Sequence, residues 1–156
     1  QALPNEPSVS LCYLQPENAL SQWYLVHRET IYKVDIDPDS QMHRFNFSPS
    51  GRFLVVESSG EGHPLLQVYD TRLLLERNRV DNLQGWGGYP GWVQFAAWDG
   101  DALIIESNVP LHRNYDTTAD YPEDETSLFR WSIDQPKPQL LDADERDKML
   151  QTLKQQ

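Results

Sequence analysis

Cysteine is nearly absent: the chain of 156 residues holds one, Cys12. That excludes an internal disulfide and a zinc site built on thiolates, which draws three or four ligands mostly from Cys and His. Positive charge is also scarce, with 13 Lys and Arg against 24 Asp and Glu and a net charge of −11. Such a field repels phosphate backbones and anionic lipid heads, so nucleic acid and membrane surfaces are disfavoured partners and a basic protein is a favoured one. No apolar run approaches the ~18 residues of a spanning helix, so membrane insertion is not expected. A positively charged, apolar leader is missing too. The chain opens on Gln1-Ala2-Leu3-Pro4 without Met, which fits an exported protein whose leader has been removed.

Turn formers and aromatics are plentiful: 11 Pro, 8 Gly, 5 Trp, 7 Tyr and 5 Phe. This balance favours short strands joined by turns over a helical bundle, and the length suits one domain, residues 1–156, able to bury roughly 70% of its unfolded surface. An all-β fold is expected.

The chain repeats itself. Phe47-Ser48-Pro49-Ser50-Gly51-Arg52-Phe53-Leu54-Val55-Val56-Glu57-Ser58 aligns without a gap on Ala96-Ala97-Trp98-Asp99-Gly100-Asp101-Ala102-Leu103-Ile104-Ile105-Glu106-Ser107, 49 residues on. Each copy reads as a strand, a turn whose Gly takes positive φ, and a β-branched strand ending in Glu-Ser. Alternating segments follow each copy, Leu66-Gln67-Val68-Tyr69-Asp70 and Leu128-Phe129-Arg130-Trp131-Ser132-Ile133-Asp134. Upstream, Trp23-Tyr24-Leu25-Val26-His27 is expected to pair with Ile31-Tyr32-Lys33-Val34-Asp35-Ile36-Asp37. A period of this length made from about four strands is the pattern of a propeller blade.

The motif Phe45-Asn46-Phe47-Ser48-Pro49-Ser50-Gly51-Arg52-Phe53-Leu54-Val55 followed by Leu66-Gln67-Val68-Tyr69-Asp70 resembles the blade motif of TolB-like and WD40-like β-propellers; the second copy departs from it at Ala96-Ala97-Trp98-Asp99. The resemblance implies two four-stranded antiparallel blades, over about residues 20–80 and 90–141, with a partial N-terminal one, in an incomplete, open propeller. A C-terminal helix over 142–154 supplies a cover for an exposed sheet face, its first turn acidic at Asp142, Asp144 and Glu145. Core positions are Phe47, Leu54, Val56, Val68, Phe95, Leu103, Ile105 and Trp131.

Catalytic chemistry finds little to stand on. Cys12 lies in the alternating stretch Val9-Ser10-Leu11-Cys12-Tyr13-Leu14, with no Gly-rich or helix-start context to activate it. His27, His43, His63 and His112 have no metal-ligand spacing, and no cofactor motif appears. Asp35-Ile36-Asp37-Pro38-Asp39 imitates the start of a calcium loop but carries Ser40 at position six and Asn46 at position twelve, where Gly and Glu are needed. Glu57 and Glu106 are equivalent by the repeat, which assigns them to the blade rather than to a carboxylate pair. The expectation is a binding protein, not an enzyme, with no cofactor and no metal.

Two loops stand out. Asn108 to Glu125 is a long insertion with Asp116, Asp120, Glu123, Asp124, Glu125, Tyr115 and Tyr121, and Gly85-Trp86-Gly87-Gly88-Tyr89-Pro90-Gly91-Trp92 is rich in aromatics. Insertions in repeats carry recognition. A carbohydrate-binding face on Trp86, Tyr89 and Trp92 is one reading; aromatics packed between sheets are another.

An acidic, exported chain of two blades and a C-terminal helix also resembles, in whole-chain organisation, the immunity proteins that protect bacteria from type VI secretion peptidoglycan amidases of the first amidase family. The resemblance implies a periplasmic protein that binds a basic amidase effector and plugs its Cys-His cleft with a serine-bearing loop. The matching positions are Ser58, Ser59, Gly60, Glu61 and Gly62, with Ser107 and Asn108 at the equivalent blade end. The alternative is a non-catalytic scaffold or interaction domain of a larger periplasmic assembly.

Overall fold

The computed structural model describes residues 2–3, 6–14, 22–27, 29–34, 41–76, 82–89, 91–112 and 126–154. The acidic run 113–125 and the calcium-like segment 35–39 lie outside them. Among the described residues, alternating strands separated by turns give twelve strands in three four-stranded antiparallel sheets. The first holds β1 (Ala2–Leu3), β2 (Glu6–Leu14), β3 (Gln22–His27) and β4 (Thr30–Val34). The second holds β5 (Gln41–Phe47), β6 (Phe53–Gly60), β7 (His63–Asp70) and β8 (Gln84–Gly87). The third holds β9 (Val93–Asp99), β10 (Ala102–Ser107), β11 (Ser127–Trp131) and β12 (Gln139–Leu140). Within each sheet the strands follow chain order, as in blades.

The blade expected over about residues 20–80 has a different extent: β3 and β4 belong to the first sheet, so the sheet that carries the repeat starts at Gln41 and closes on β8. What the sequence suggested as a partial N-terminal blade is a sheet of four strands in its own right.

The repeat is real, with a shifted register. Phe47 pairs with Leu54, whereas Trp98 pairs with Leu103, so the counterpart of Phe47 is Trp98 and not Ala96. The cause is the turn. Ser48 N donates to Phe53 O across a longer loop, while Asp99 pairs directly with Ala102 around Gly100 and Asp101. Gly51 (φ 74°) and Gly100 (φ 59°) both supply the left-handed residue that each turn requires. A bulge between Ile104 and Ile105 then returns part of the shift, which makes Phe95 the counterpart of Phe45 and Gln94 that of Arg44.

Strand alternation gives the second and third sheets two covered faces each. Phe53, Val55, Leu66, Val68 and Trp86 of the second sheet pack on Leu103, Ile105, Phe129 and Trp131 of the third, with Phe95 partly buried against them. Trp86 meets Trp131 edge-on at 5.4 Å, a geometry that aromatic quadrupoles favour. On its other face the third sheet buries Ala97, Ile104 and Leu128 with Leu141, Met149 and Leu153, the last two from α2 (Ala143–Leu153). Asp142 caps α2 by accepting from Glu145 N, and Glu145 reaches back to Asp142 N, a reciprocal pair that the acidic first turn encodes. Thus α2 takes the position that the next sheet occupies after β5–β8. Between the first and second sheets, α1 (Thr71–Glu76) lies against β7, β3 and β4.

Paired strands place Cys12 opposite Tyr24. Cys12, Leu14 and Ile31 are exposed, the last two at 58% and 65%.

Candidate functional site

Glu57 and Ser58 stand near the end of β6, and Glu106 and Ser107 at the end of β10. Three segments converge there: the β6–β7 turn, the β8–β9 link and the residues after β10. The site is built from backbone geometry first.

Gly60 pairs with His63, so the loop between β6 and β7 is only Glu61 and Gly62. Both have positive φ, 50° and 85°, the two left-handed residues of a tight hairpin whose twist matches the strands. The serines expected in an exposed loop are therefore strand residues: Ser58 pairs with Leu65 and Ser59 with Pro64, and Ser58 is 1% exposed. What projects is Glu61, Gly62 and His63, all exposed. His63 meets the exposed Tyr89 ring edge-on at 4.5 Å. Gly88 N donates to Pro64 O at 2.8 Å, and an added Cβ on Gly88 would lie 2.6 Å from Pro64 Cγ and 2.7 Å from Trp92 Cα. Only glycine fits between the two segments.

Ser107 and Asn108 hold rather than protrude. Ser107 is fully buried; its hydroxyl donates to Trp92 O at 2.6 Å and accepts from Val109 N at 2.9 Å. Asn108 Oδ1 accepts from Trp92 N at 2.7 Å. Together they grip both polar backbone groups of Trp92. Trp86 is buried, Trp92 half-buried and Tyr89 exposed, so the three aromatics do not form a shared stacking platform for a sugar.

Below the turn lies a cleft of ≈ 460 Å³ lined by Arg44, Glu57, Ser58, Pro64, Leu65, Val93 and Gln94. At its floor the Glu57 carboxylate, 11% exposed, accepts from Arg44 Nε and Nη2 and from Phe95 N at 2.8 Å. Arg44 Nη2 also donates to Phe95 O at 3.2 Å. The charged pair on the second sheet thus holds one residue of the third by its N–H and its C=O. Hydrogen bonding to Glu57 raises the Arg44 pKa above its usual value against the opposing effect of burial, and the Glu57 charge adds to the rise. Sequence reasoning assigned Glu57 to the blade and missed Arg44. No short motif links them, because the pair forms across strands.

The equivalent carboxylate, Glu106, accepts from Gln94 Nε2 at 2.6 Å. At the opposite end of the sheets Ser50 Oγ donates to both oxygens of Asp101, 2.6 and 2.7 Å, which ties the β5–β6 turn to the β9–β10 turn. There too Asp70 accepts from Arg72 N and Nη2 at 2.9 and 3.1 Å. Among the described residues no group of three or more His, Cys, Asp or Glu is arranged to hold a metal ion.

No family model and no curated protein matches this sequence. Among solved structures, the chain is similar to the β-propeller domain of the Trilobed protease from Pyrococcus furiosus, described as having an open velcro topology. The match has a TM-score of 0.59 at 10% identity and covers 90% of this chain and 41% of that one. The likeness is one of fold: the three sheets are propeller-like blades, and the chain spans less than half of the propeller chain it matches.

Proposed function

We propose that this chain is a non-catalytic, protein-binding module that receives a basic partner at the end of the sheets where the Glu61-Gly62 turn projects. The observation that carries this reading is the turn itself. It is narrow, locked by its backbone and tied to Tyr89 and Gly88 beside it, so it enters a cleft without the entropy loss of an ordered loop. The net charge of −11 supports a basic partner, since it accelerates encounter. Glu61 adds a charge at the tip.

The finer reading follows from the resemblance described above: a periplasmic immunity protein, with a secreted peptidoglycan amidase as the partner. A turn of Glu and Gly lying across a Cys-His cleft offers hydrogen bonds to an imidazole and blocks access of the cell-wall peptide. Because Ser58 is buried in its strand, the contact falls to Ser59, Gly60, Glu61 and Gly62. Titrating a basic Cys-His peptidoglycan amidase with the parent, with Glu61→Trp and with Ser59→Trp tests this. Inhibition by the parent, lost in Glu61→Trp at unchanged thermal stability, is the expected result. A parent that binds but leaves the amidase active removes the immunity reading and keeps the binding one, and an absence of binding removes both.

The scaffold reading has its own observation in the exposed Leu14 and Ile31 on the first sheet. Association that is lost in Ile31→Lys and retained in Glu61→Trp would favour it.

A further inference from the structure

The propeller repeat places the same carboxylate twice, and the two copies have different company. Glu57 faces forward from the second sheet and, with Arg44 across the strand pair, holds the N–H and C=O of Phe95 on the next sheet. Glu106 is its counterpart on the third sheet, and the residue paired across from it is Gln94, in the place of Arg44. Each carboxylate has a leucine beside it on the neighbouring strand, Leu66 for Glu57 and Leu128 for Glu106. Ahead of Glu57 there is a strand. Ahead of the third sheet there is α2, a helix whose interior backbone N–H and C=O groups bond within it, and it packs on Ala97, Ile104 and Leu128. Glu106 stays part-exposed and Gln94 exposed, and one Glu106 oxygen accepts from Gln94 while the other has no hydrogen-bond partner among the described residues.

We propose that Gln94 and Glu106 form a docking point for an extended peptide segment of a partner protein. Glu106 accepts the segment's N–H as Glu57 accepts that of Phe95, and the Gln94 amide donates to its C=O as Arg44 does. The occupant is a strand-like segment with an aromatic or branched apolar residue at the held position, because that is what the filled copy of the same device holds. A carboxylate paired with a neutral amide, rather than with Arg, also keeps its charge uncompensated, which suits a segment carrying Lys or Arg nearby. The site lies at the same end of the sheets as the Glu61-Gly62 turn and does not depend on what that turn binds.

The test uses the whole chain and a capped synthetic peptide copying residues 93–97, followed by amide chemical shifts. Saturable shifts at the Gln94 side chain and the Glu106 backbone, at peptide concentrations up to about 5 mM, are expected. Affinity should fall at least about tenfold in Glu106→Ala and in Gln94→Ala, and a peptide N-methylated at its Phe should fail to bind. Glu106→Gln, which keeps an acceptor oxygen and the shape of the side chain, should retain weaker binding; it also serves as the reporter if Glu106→Ala unfolds. No shift at these residues overturns the proposal. So does equal binding of the N-methylated peptide or of the Glu106→Ala variant. None of these arms contains an amidase, so failure here leaves the reading of the turn untouched, and failure of that reading leaves this one standing.

Discussion

Glu57 is a buried charge that remains tolerable because three donors surround it, two from Arg44 and one from the Phe95 backbone. Truncation to Ala leaves the Phe95 N–H without an acceptor at a sheet interface, so Glu57→Ala should cost about 1–3 kcal/mol in denaturant unfolding. Glu106→Ala removes a carboxylate whose bond is to the exposed Gln94 and should change stability by no more than about 0.5 kcal/mol. Equal costs for the two would show that the interface bond is worthless. Asp70 gives the pH dependence. Burial pushes its pKa up, but hydrogen bonds from the Arg72 side chain and backbone, with the charges of Arg72 and Arg52, bring it below the usual 3.8. A carboxylate lowered in the folded state contributes stability that is complete above its unfolded pKa and is lost as pH falls through the folded one. The stability gap between the parent and Asp70→Asn should therefore shrink from about pH 6 to about pH 3, as read by urea midpoints. A gap constant across that range would contradict the assignment.

At the scale of elements, turns and caps decide more than strand propensity does. Gly100 has a φ of 59° with open space around its missing Cβ, so Gly100→Ala should cost only the left-handed backbone penalty, about 1–2 kcal/mol in thermal unfolding. At Gly88 the obstacle is steric, from Pro64 and Trp92, and Gly88→Ala should pull the Tyr89 segment away from the β6–β7 turn as well as destabilise. Loss of the Tyr89 to His63 contact, followed by His63 ring shifts, checks this. Helix α2 covers a face that the repeat leaves for another sheet. Ile104→Ala beneath it should cost roughly 2–5 kcal/mol, and Asp142→Ala at its cap about 1 kcal/mol.

For the molecule as a whole, charge and open ends govern behaviour. With a net charge of −11, association with a basic partner should slow between about 50 and 500 mM salt far more than dissociation quickens. Stopped-flow kinetics reads both rates, and an on-rate flat across that range removes charge steering from the function. The two outer ends of the stack differ: α2 closes the third sheet, while Leu14 and Ile31 remain open to solvent on the first.

Much of the fold could be read locally. The β-branched apolar runs in 53–57 and 103–106, the glycines at 51 and 100 and the Asp142 cap act within a few residues, so the strands, the turns and α2 follow from the sequence, as does the burial of Leu54, Val56, Leu103 and Ile105. The ungapped repeat predicted the outgoing strands and misplaced the incoming ones, since loop length and a bulge alter register without altering composition. The exposed serine loop also failed on register: a two-residue turn at Glu61-Gly62 pulls Ser58 and Ser59 into the ladder. Arg44 holding Phe95, and Ser107 and Asn108 holding Trp92, are separated by 51 and by 15 or 16 residues. Stacking of the second sheet on the third brings Arg44 to Phe95, and the pairing of β9 with β10 brings Ser107 and Asn108 to Trp92. Side-chain grips on a distant backbone carry no residue-type pattern of their own, and for that reason tertiary structure alone decided which segments of this protein are held together.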